Sequence, residues 1–415
     1  MTENRRRVAV TGMGIICPVG NDPDQVWASI LNKRCGIRTI EGLDLQGYKV
    51  SLAGLVRDED IQTDFSKREL KFNDRFVRMA RIAARQAMVM SGFVPEQPEE
   101  FGVLIASGIG GLSTIEKNHD TLQQRGPGRI SPYFIPMSLI NLAAGQVAID
   151  VNAQGTVQAV VTACAASTNA IGEAFHRIRD GYETAILAGG CEAPVTALGV
   201  AGFQSMKALH TENDPDRASI PFDEERSGFV MAEGAAVLLL EEYDHARNRG
   251  AEILAEVVGY GTTCDAFHIT APHPEGKGAR RAMEKALEDA GLEPDQVDCI
   301  NAHGTSTRLN DAAEMLAVQR VFTGHMPYMS STKSYTGHML GASGAAESVI
   351  CIESMQHNLV PTTLNTRHTD SGTRCRIVTG NHQPASLNYV MNNSFGFGGH
   401  NASLIFARGD RNADL

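Results

Sequence analysis

Residues 156–175 read TVQAVVTACAASTNAIGEAF, a strand pattern that changes into a helix pattern. The β-type run at residues 157–162 predicts a strand. Beyond it, the apolar residues from Ile171 to Ile178 follow the i, i+3, i+4, i+7 spacing of an amphipathic helix. Cys164 therefore lies where a strand turns into a helix.

The position of Cys164 favours a nucleophile. The first N–H groups of a helix have no partner inside the helix, and the helix dipole is positive there. Both effects favour the thiolate, which is the reactive form of cysteine. A free cysteine is more often a buried core residue, so this segment alone leaves the two interpretations open.

Strand-like runs alternate with helical patterns along the whole chain, which favours mixed or parallel sheets covered by helices. The runs are residues 7–11, 102–106, 157–162, 184–188, 234–240, 253–260, 297–302, 387–391 and 402–406. One clear helical pattern, residues 278–290, stops at Gly291. The polar segment 247–250 separates two such series and is the best candidate for a domain boundary.

Composition limits the classes of function. The chain has 415 residues and a net charge of −11, which argues against nucleic acid as a partner. The chain contains no run of about 18 apolar residues, so the sequence predicts no membrane-spanning helix. The segment RRRVAVTGMGII, residues 5–16, predicts a first strand and a glycine turn rather than a signal peptide. The eight cysteines form no CxxC pair, so we expect no disulfides and a reducing cytoplasm.

Two further segments place polar residues after apolar runs. Residues 299–311, CINAHGTSTRLND, put His303 in a polar loop. Residues 330–347, SSTKSYTGHMLGASGAAE, offer Lys333 and His338 just ahead of a helix-forming run. A lone histidine is more often structural than catalytic, so neither segment is decisive by itself.

Taken together, these segments and NNSFGFGGHN at residues 392–401 resemble the β-ketoacyl-acyl-carrier-protein synthases. These are the condensing enzymes of fatty-acid and polyketide assembly. The likeness runs from about residue 8 to residue 406 and is closest to the elongating synthase II. It implies an α/β protein of the thiolase fold, with two pseudo-symmetric halves in an α-β-α-β-α layered sandwich. Residues 1–250 are expected to form the half with the nucleophilic cysteine, and residues 251–415 the half with the two histidines.

The resemblance implies a role for each motif residue. Cys164 is expected to take the acyl chain, and the backbone N–H groups of Cys164 and Phe397 to form the oxyanion hole, with Phe397 also acting as a gate. His303 and His338 are expected to donate hydrogen bonds to the enolate formed from malonyl-acyl carrier protein. Lys333 is expected to hold the site electrostatically and to position His303.

The third site residue separates the subfamilies. Elongating synthases carry Cys-His-His, whereas chain-initiating synthases carry Cys-His-Asn and biosynthetic thiolases use a second Cys. His338 therefore implies an acyltransferase that condenses an enzyme-bound acyl group with malonyl-acyl carrier protein during fatty-acid elongation. A ketosynthase of a dedicated polyketide or aryl-polyene pathway remains an alternative. A non-catalytic or metal-binding α/β protein is the alternative of another class.

Further residues match positions that handle substrate in the family. Those expected to contact the phosphopantetheine arm are Thr305, Thr307 and Thr270, and those expected to line the acyl pocket are Ile109 and Phe203. The basic residues expected to dock the acidic carrier protein are Lys67, Arg68, Lys71, Arg125, Arg129 and Lys207. Without the resemblance, such basic clusters are more often solvated surface.

The resemblance also bears on cofactors and assembly. We expect no redox cofactor and no catalytic metal, with substrates carried on the 4'-phosphopantetheine of acyl carrier protein, and a homodimer in the cytoplasm. The family often holds a structural monovalent cation, and its ligand region matches Asn301, Glu347, Asn392 and Asn393. A zinc site from Cys164, His303, His338 and His400 has suitable ligand types, but their spacing is not a metal signature.

Overall fold

The computed structural model describes residues 5–62 and 64–409. Its strands are β1 (Val8–Ile16), β2 (Ile37–Thr39), β3 (Leu52–Gly54), β4 (Phe101–Ala106), β5 (Val157–Gln158), β6 (Ala185–Glu192), β7 (Gly234–Glu242), β8 (Ala255–Cys264), β9 (Cys299–Asn301), β10 (Tyr328–Ser330), β11 (Leu359–Val360), β12 (Arg376–Ile377), β13 (Gln383–Pro384), β14 (Tyr389–Gly396) and β15 (His400–Arg408).

The α-helices are α1 (Pro23–Leu31), α2 (Asp58–Gln62), α3 (Arg75–Ser91), α4 (Leu112–Arg125), α5 (Phe134–Ser138), α6 (Leu142–Val151), α7 (Ala166–Arg179), α8 (Ala197–Ser205), α9 (Pro215–Ala218), α10 (Tyr243–Asn248), α11 (Lys277–Ala290), α12 (Arg308–Val321), α13 (Lys333–Thr336) and α14 (Ser343–His357). Short 3₁₀ turns lie at Glu69–Lys71, Pro98–Glu100, Pro127–Arg129, Ala163–Ala165, Pro294–Gln296, Leu340–Ala342 and Phe397–Gly399.

One large mixed sheet contains two copies of the same pattern. Its order is β12-β10-β9-β14-β15-β8-β1-β7-β6-β4-β5. On one side β5, β4 and β6 are parallel, and β7 and β1 follow antiparallel. On the other side β10, β9 and β14 are parallel, and β15 and β8 follow antiparallel. The two half-sheets meet where β1 pairs with β8, so the strand directions have the pseudo-twofold pattern that the resemblance implies.

Helices form three layers around the two half-sheets. Helices α7 and α14 contact each other and reach strands of both halves, so they lie between the two. Helices α3 and α6 cover one half-sheet from outside, and α11 with α12 cover the other. Nearly the whole of α14 is buried, as expected for a helix in a central layer.

The first strand is longer than the sequence predicts. Gly12 and Gly14 do not form a turn, because β1 continues through both. A Cβ at Gly12 would lie 2.2 Å from the carbonyl oxygen of Ala87, and one at Gly14 would lie 2.1 Å from that of Ala83. The two glycines therefore let α3 pack directly on the strand.

The strand before Cys164 is shorter than predicted. Only Val157 and Gln158 pair, in parallel with β4, because β5 is at the edge of the sheet and has no second neighbour among the described residues. The other predicted strand-like runs are present with shifted ends. The segment 247–250 lies between β7 and β8, and the division of the chain at residue 250 stays a prediction. In the described part of the chain, no helix combines the length and apolar character needed to cross a membrane.

Candidate active site

The turn that carries Cys164 is a strained one. Cys164 lies in the 3₁₀ turn Ala163–Ala165, immediately before α7. Ala163 has a φ of 50°, which is uncommon for a residue with a Cβ. Gly396 lies against this turn, since a Cβ there would come within 3.0 Å of the backbone nitrogen of Cys164. The end of β14 thus packs directly against the turn that carries the cysteine.

One cavity of about 340 Å³ brings the predicted motifs together. Its lining includes Cys164, His303, His338, Phe397, Thr305, Thr307, Thr270, Phe203 and Lys207. These residues come from segments that are far apart in the sequence. Ile109 does not line this cavity; it packs in the apolar cluster that also contains Cys164 and Leu340.

The rings of His303 and His338 lie edge-to-face in the cavity. Their ring centroids are 5.3 Å apart at an interplanar angle of 83°. Burial lowers the pKa of His303 and of His338 well below the usual histidine value, and the Lys333 ammonium lowers both further. Both imidazoles are therefore neutral near pH 7, and each has a ring N–H to donate.

Hydrogen bonds hold each imidazole at its Nδ1. Lys333 Nζ donates to His303 Nδ1 at 3.4 Å. His338 Nδ1 lies 3.0 Å from Ser343 Oγ, at the start of α14. Because the ammonium only donates, His303 Nδ1 is the acceptor and its proton resides on Nε2.

Lys333 also belongs to a buried ion pair. Its side chain is 1% exposed, and Nζ lies 2.5 Å from Glu347 Oε1. Burial raises the pKa of Glu347 to about 7, and the Lys333 ammonium acts against that rise. The ammonium thus touches a carboxylate and a catalytic candidate at once, and the positioning role expected for it stays a prediction.

The thiol of Cys164 differs from the expectation based on the helix end. Burial raises its pKa to about 11. The Lys333 ammonium and the backbone N–H groups of Phe397 and Cys164 act in the opposite direction, whereas the Glu192 carboxylate raises the pKa further. The net effect of the resting site therefore favours the thiol, because burial outweighs the groups that stabilise the thiolate.

The backbone around Phe397 resembles an anion-binding turn. The backbone N–H groups of Phe397 and Cys164 both act to lower the pKa of the Cys164 thiol, so they favour a negative charge at this position. Gly398 and Gly399 follow with φ values of 81° and 75°, which glycine adopts readily. Gly398 N–H donates to the Ile269 carbonyl at 2.7 Å, so this turn is tied to the loop that carries Thr270.

Two buried carboxylates that the sequence did not identify fix the loop of His303. Glu314 accepts hydrogen bonds from the backbone N–H groups of His303 and Gly304, each at 2.8 Å. Asp311 accepts from Thr305 N–H at 3.0 Å. Both acids lie on α12, directly after the loop. The only sequence signal is an acidic residue in the first turns of the helix that follows, and this is a common pattern.

The predicted acyl-pocket and docking residues occupy different surroundings. Phe203 packs edge-on against Phe229, with ring centroids 5.5 Å apart, and lies 6.5 Å from the ring of Phe397. The six candidate docking residues, Lys67, Arg68, Lys71, Arg125, Arg129 and Lys207, are all exposed. Of these six, Lys207 alone lines the cavity.

The residues of the candidate cation region do not all converge. Asn301 Nδ2 donates to Asn392 Oδ1 at 3.2 Å. Glu347 Oε2 is buried and has no hydrogen-bond partner among the described residues, as expected for an oxygen that could hold an ion. The amide of Asn393 instead contacts Ser403 and Met283. The residues therefore fit a monovalent cation only in part. Within residues 5–62 and 64–409, no group of three or more His, Cys, Asp or Glu side chains is placed to hold a metal ion.

The fold is that of thiolase-fold enzymes, and the solved structures agree. A β-ketoacyl synthase from Burkholderia phymatum STM815 matches with a TM-score of 0.89 and 35% identity, over 97% of this chain and 99% of that one. A type II PKS acyl-carrier protein in complex with its ketosynthase bound to the hexaketide gives a TM-score of 0.90 at 31% identity, over 98% and 100% of the two chains. The thiolase-fold prediction is confirmed.

Sequence comparisons identify the family. The model of the β-ketoacyl synthase N-terminal domain matches residues 5–246, and that of the C-terminal domain matches residues 254–367. A Staphylococcus aureus (strain COL) protein named 3-oxoacyl-acyl-carrier-protein synthase 2 is 44% identical over 412 residues, which cover 98% of this chain and 99% of that protein. The chain belongs to the β-ketoacyl synthase family.

Proposed function

We propose that this protein is an elongating β-ketoacyl-acyl-carrier-protein synthase, which joins an enzyme-bound acyl group to malonyl-acyl carrier protein with loss of carbon dioxide. The observation that carries the proposal is a single cavity in which Cys164 lies with two neutral histidines. The name of the Staphylococcus aureus relative supports the same activity.

The first half-reaction transfers an acyl group to Cys164. The sulfur attacks the thioester carbonyl of an acyl carrier protein, and the carbonyl oxygen gains negative charge. In this proposal the N–H groups of Cys164 and Phe397 stabilise that oxyanion, and their effect on the pKa of the Cys164 thiol supports this role. The tetrahedral intermediate then releases the carrier thiol, which takes up the proton lost by Cys164. The Lys333 ammonium stabilises the transient thiolate.

The second half-reaction needs donors rather than a base. Loss of carbon dioxide from the malonyl group leaves an enolate, whose charge lies on the thioester oxygen. His303 and His338 are neutral and donate N–H hydrogen bonds to that oxygen without giving up a proton. The enolate carbon attacks the acyl-cysteine carbonyl, and Cys164 leaves as the thiolate. The product is a β-ketoacyl-carrier protein two carbons longer.

The reaction as proposed uses no resident cofactor, because the acyl groups arrive on the 4'-phosphopantetheine of the carrier. Thr305 Oγ1 and Thr307 Oγ1 lie 2.9 Å apart in the cavity and offer hydroxyl groups to the amides of that arm. Thr270 lies on the loop at the cavity edge. An acidic carrier protein is expected to approach exposed basic side chains, of which Lys207 lies at the cavity, because the enzyme as a whole carries a net charge of −11 and repels it elsewhere.

We further propose that two copies of this chain associate as a homodimer. Edge strand β5 is exposed, and an unpaired strand edge is a template for pairing with another chain. Large apolar side chains are exposed in elements that precede or follow it, including Ile135 at 58%, Ile149 at 74% and Val161 at 51%. A mass measured in solution that equals one chain would contradict this assembly.

We propose the reducing cytoplasm as the location of the protein. All eight cysteines are free, which is in keeping with that location.

A second candidate function is chain extension in polyketide assembly. The structure with a bound hexaketide and its carrier protein favours it, because that ketosynthase superposes over almost the whole chain. The two functions use the same catalytic steps and differ in substrate. Comparing condensation rates with saturated acyl chains and with β-polyketo chains on carrier protein distinguishes them.

Variants of the two half-reactions test the proposal. Cys164→Ala is expected to abolish acyl transfer and still to decarboxylate malonyl-carrier protein, because both imidazoles remain. His303→Ala is expected to keep some acylation of Cys164 and to lose condensation. Normal condensation by either variant would show that the assigned residues do not carry the reaction.

A further inference from the structure

A fully buried carboxylate joins two loops near Cys164. Glu192 ends strand β6 and has no exposed surface. Oε1 accepts hydrogen bonds from Ser107 Oγ at 2.8 Å and Ile109 N–H at 3.1 Å. Oε2 accepts from Gly108 N–H at 2.7 Å and Gly341 N–H at 3.0 Å. One side chain therefore holds the segment 107–109 and the segment at Gly341.

This carboxylate has donors around it and no cation. Among the ion pairs of residues 5–62 and 64–409, none includes Glu192. A buried carboxylate is costly unless hydrogen bonds satisfy it. The four hydrogen-bond donors therefore stabilise the buried carboxylate, and the carboxylate holds the backbone that carries these donors in position.

The two loops meet at a distance that only glycine permits. A Cβ at Gly108 would lie 2.9 Å from Glu192 Oε2. A Cβ at Gly341 would lie 2.7 Å from the same oxygen and 2.5 Å from the nitrogen of Gly108. Substitution at either glycine would force the loops apart, so their close approach is a built feature of the fold.

The two loops that Glu192 joins each contribute a side chain to the apolar cluster that contains Cys164. Ile109 belongs to the first loop, and Leu340 directly precedes Gly341. Leu340 has a φ of 45°, a strained conformation that needs support from its surroundings. Glu192 therefore holds the backbone of two segments whose side chains pack in the same apolar cluster as Cys164.

We infer that Glu192 is a positioning residue that sets which acyl groups Cys164 accepts, by fixing the backbone of the Ile109 loop and the Leu340–Gly341 segment. The inference rests on the proposed function, because it presumes that Cys164 becomes acylated.

The charge of Glu192 gives a second, independent readout. The carboxylate raises the pKa of the Cys164 thiol, since a nearby negative charge disfavours the thiolate. A neutral side chain of the same shape removes that effect. A residue that only supported the loops would leave the ionisation of the thiol unchanged.

The test compares three variants. Glu192→Gln keeps the shape but places an amide N–H₂ against backbone donors. Ser107→Ala removes one donor and keeps the charge. Glu241→Gln is the control for a buried carboxylate elsewhere, because Glu241 is also fully buried near the end of a strand and accepts from Thr11 Oγ1 at 2.9 Å. Unlike Glu192 it also pairs with Arg249 and His245, so its stability is checked by urea unfolding. Acylation of Cys164 is followed by mass spectrometry with acetyl-, octanoyl- and palmitoyl-carrier protein.

Glu192→Gln is expected to slow octanoyl and palmitoyl transfer relative to acetyl transfer by about tenfold or more, since a buried donor left unpaired is costly. Ser107→Ala should show the same direction with a smaller effect, and it decides the question if Glu192→Gln does not fold. Glu241→Gln should keep the wild-type ratio. An unchanged ratio in both Glu192→Gln and Ser107→Ala, or an equal loss for every chain length, would overturn the inference.

The pH dependence of Cys164 alkylation, read on its own peptide, gives the second result. The midpoint should move to lower pH in Glu192→Gln and stay in place in Ser107→Ala and Glu241→Gln. A midpoint that does not move in Glu192→Gln contradicts the inference. Absence of acyl groups on wild-type Cys164 would instead overturn the proposed function, and the alkylation result still decides whether Glu192 acts on the thiol.

Discussion

Replacing Lys333 by Met should raise the pH at which His303 and His338 become protonated. The variant removes the ammonium and keeps most of the side-chain volume. In the wild type that ammonium lies 3.4 Å from His303 Nδ1. At this distance, with an effective dielectric constant of about 20, the repulsion between two unit charges is about 5 kcal/mol. The imidazolium form of His303 is disfavoured by a free energy of that order.

The sign of the pH effect follows directly. The pKa of both histidines is lowered in the wild type by burial and then by Lys333. Without the ammonium these pKa values rise, so each histidine becomes protonated at a higher pH than in the wild type. Once protonated, it no longer acts as a neutral hydrogen-bond donor. The rate of malonyl decarboxylation, normalised to its maximum, should therefore fall on the acid side at a higher pH in Lys333→Met than in the wild type.

A double variant separates this effect from a loss of stability. Lys333→Met leaves Glu347 buried without its partner, and breaking such a pair typically costs about 3–5 kcal/mol. Lys333→Met/Glu347→Gln removes the unpaired charge, so urea unfolding should show much of the stability restored. The acid limb of decarboxylation should nevertheless remain shifted. An acid limb identical to that of the wild type in both variants would refute the role assigned to Lys333.

Two further predictions concern the substrate. Reversing the charge of Lys67, Arg68 and Lys207 to Glu should raise the KM for carrier-protein substrates and have little effect on the KM for small pantetheine thioesters. The control is reversal of exposed Lys285 on α11, which should change neither KM. Equal effects on both substrate types would mean that the three basic residues are merely solvated charge. Ile109→Phe should slow acylation by medium and long chains roughly tenfold and spare acetyl, because overpacking costs about 1–3 kcal/mol; a uniform loss across chain lengths would mean that Ile109 does not line the acyl path.

The parts of the fold that local pattern controls were predictable. Apolar strand-like runs identified most of the long strands, and the strand-to-helix change around Cys164 identified the turn that carries it. The meeting of Cys164, His303 and His338 in one cavity is not a local property, because it depends on how the two half-sheets stack. Only the resemblance to a known family anticipated that meeting from the sequence.

The parts that depend on burial were not predictable from position in the chain. The helix end suggested a lowered thiol pKa for Cys164, whereas burial raises it to about 11. Glu192, Glu314 and Ser343 organise the site through hydrogen bonds to backbone or imidazole, and no spacing rule marks such partners. The short length of β5 is also a tertiary effect, because this strand lies at the edge of the sheet and pairs only with β4 among the described residues.

Cys164 is expected to carry the acyl group between the two half-reactions. Peptide mass spectrometry after incubation with acyl-carrier protein tests this role most directly. We predict an acyl mass on the Cys164 peptide alone, lost again when malonyl-carrier protein is added. An acyl group on another of the eight cysteines, or one on Cys164 that malonyl-carrier protein does not discharge, would contradict the account.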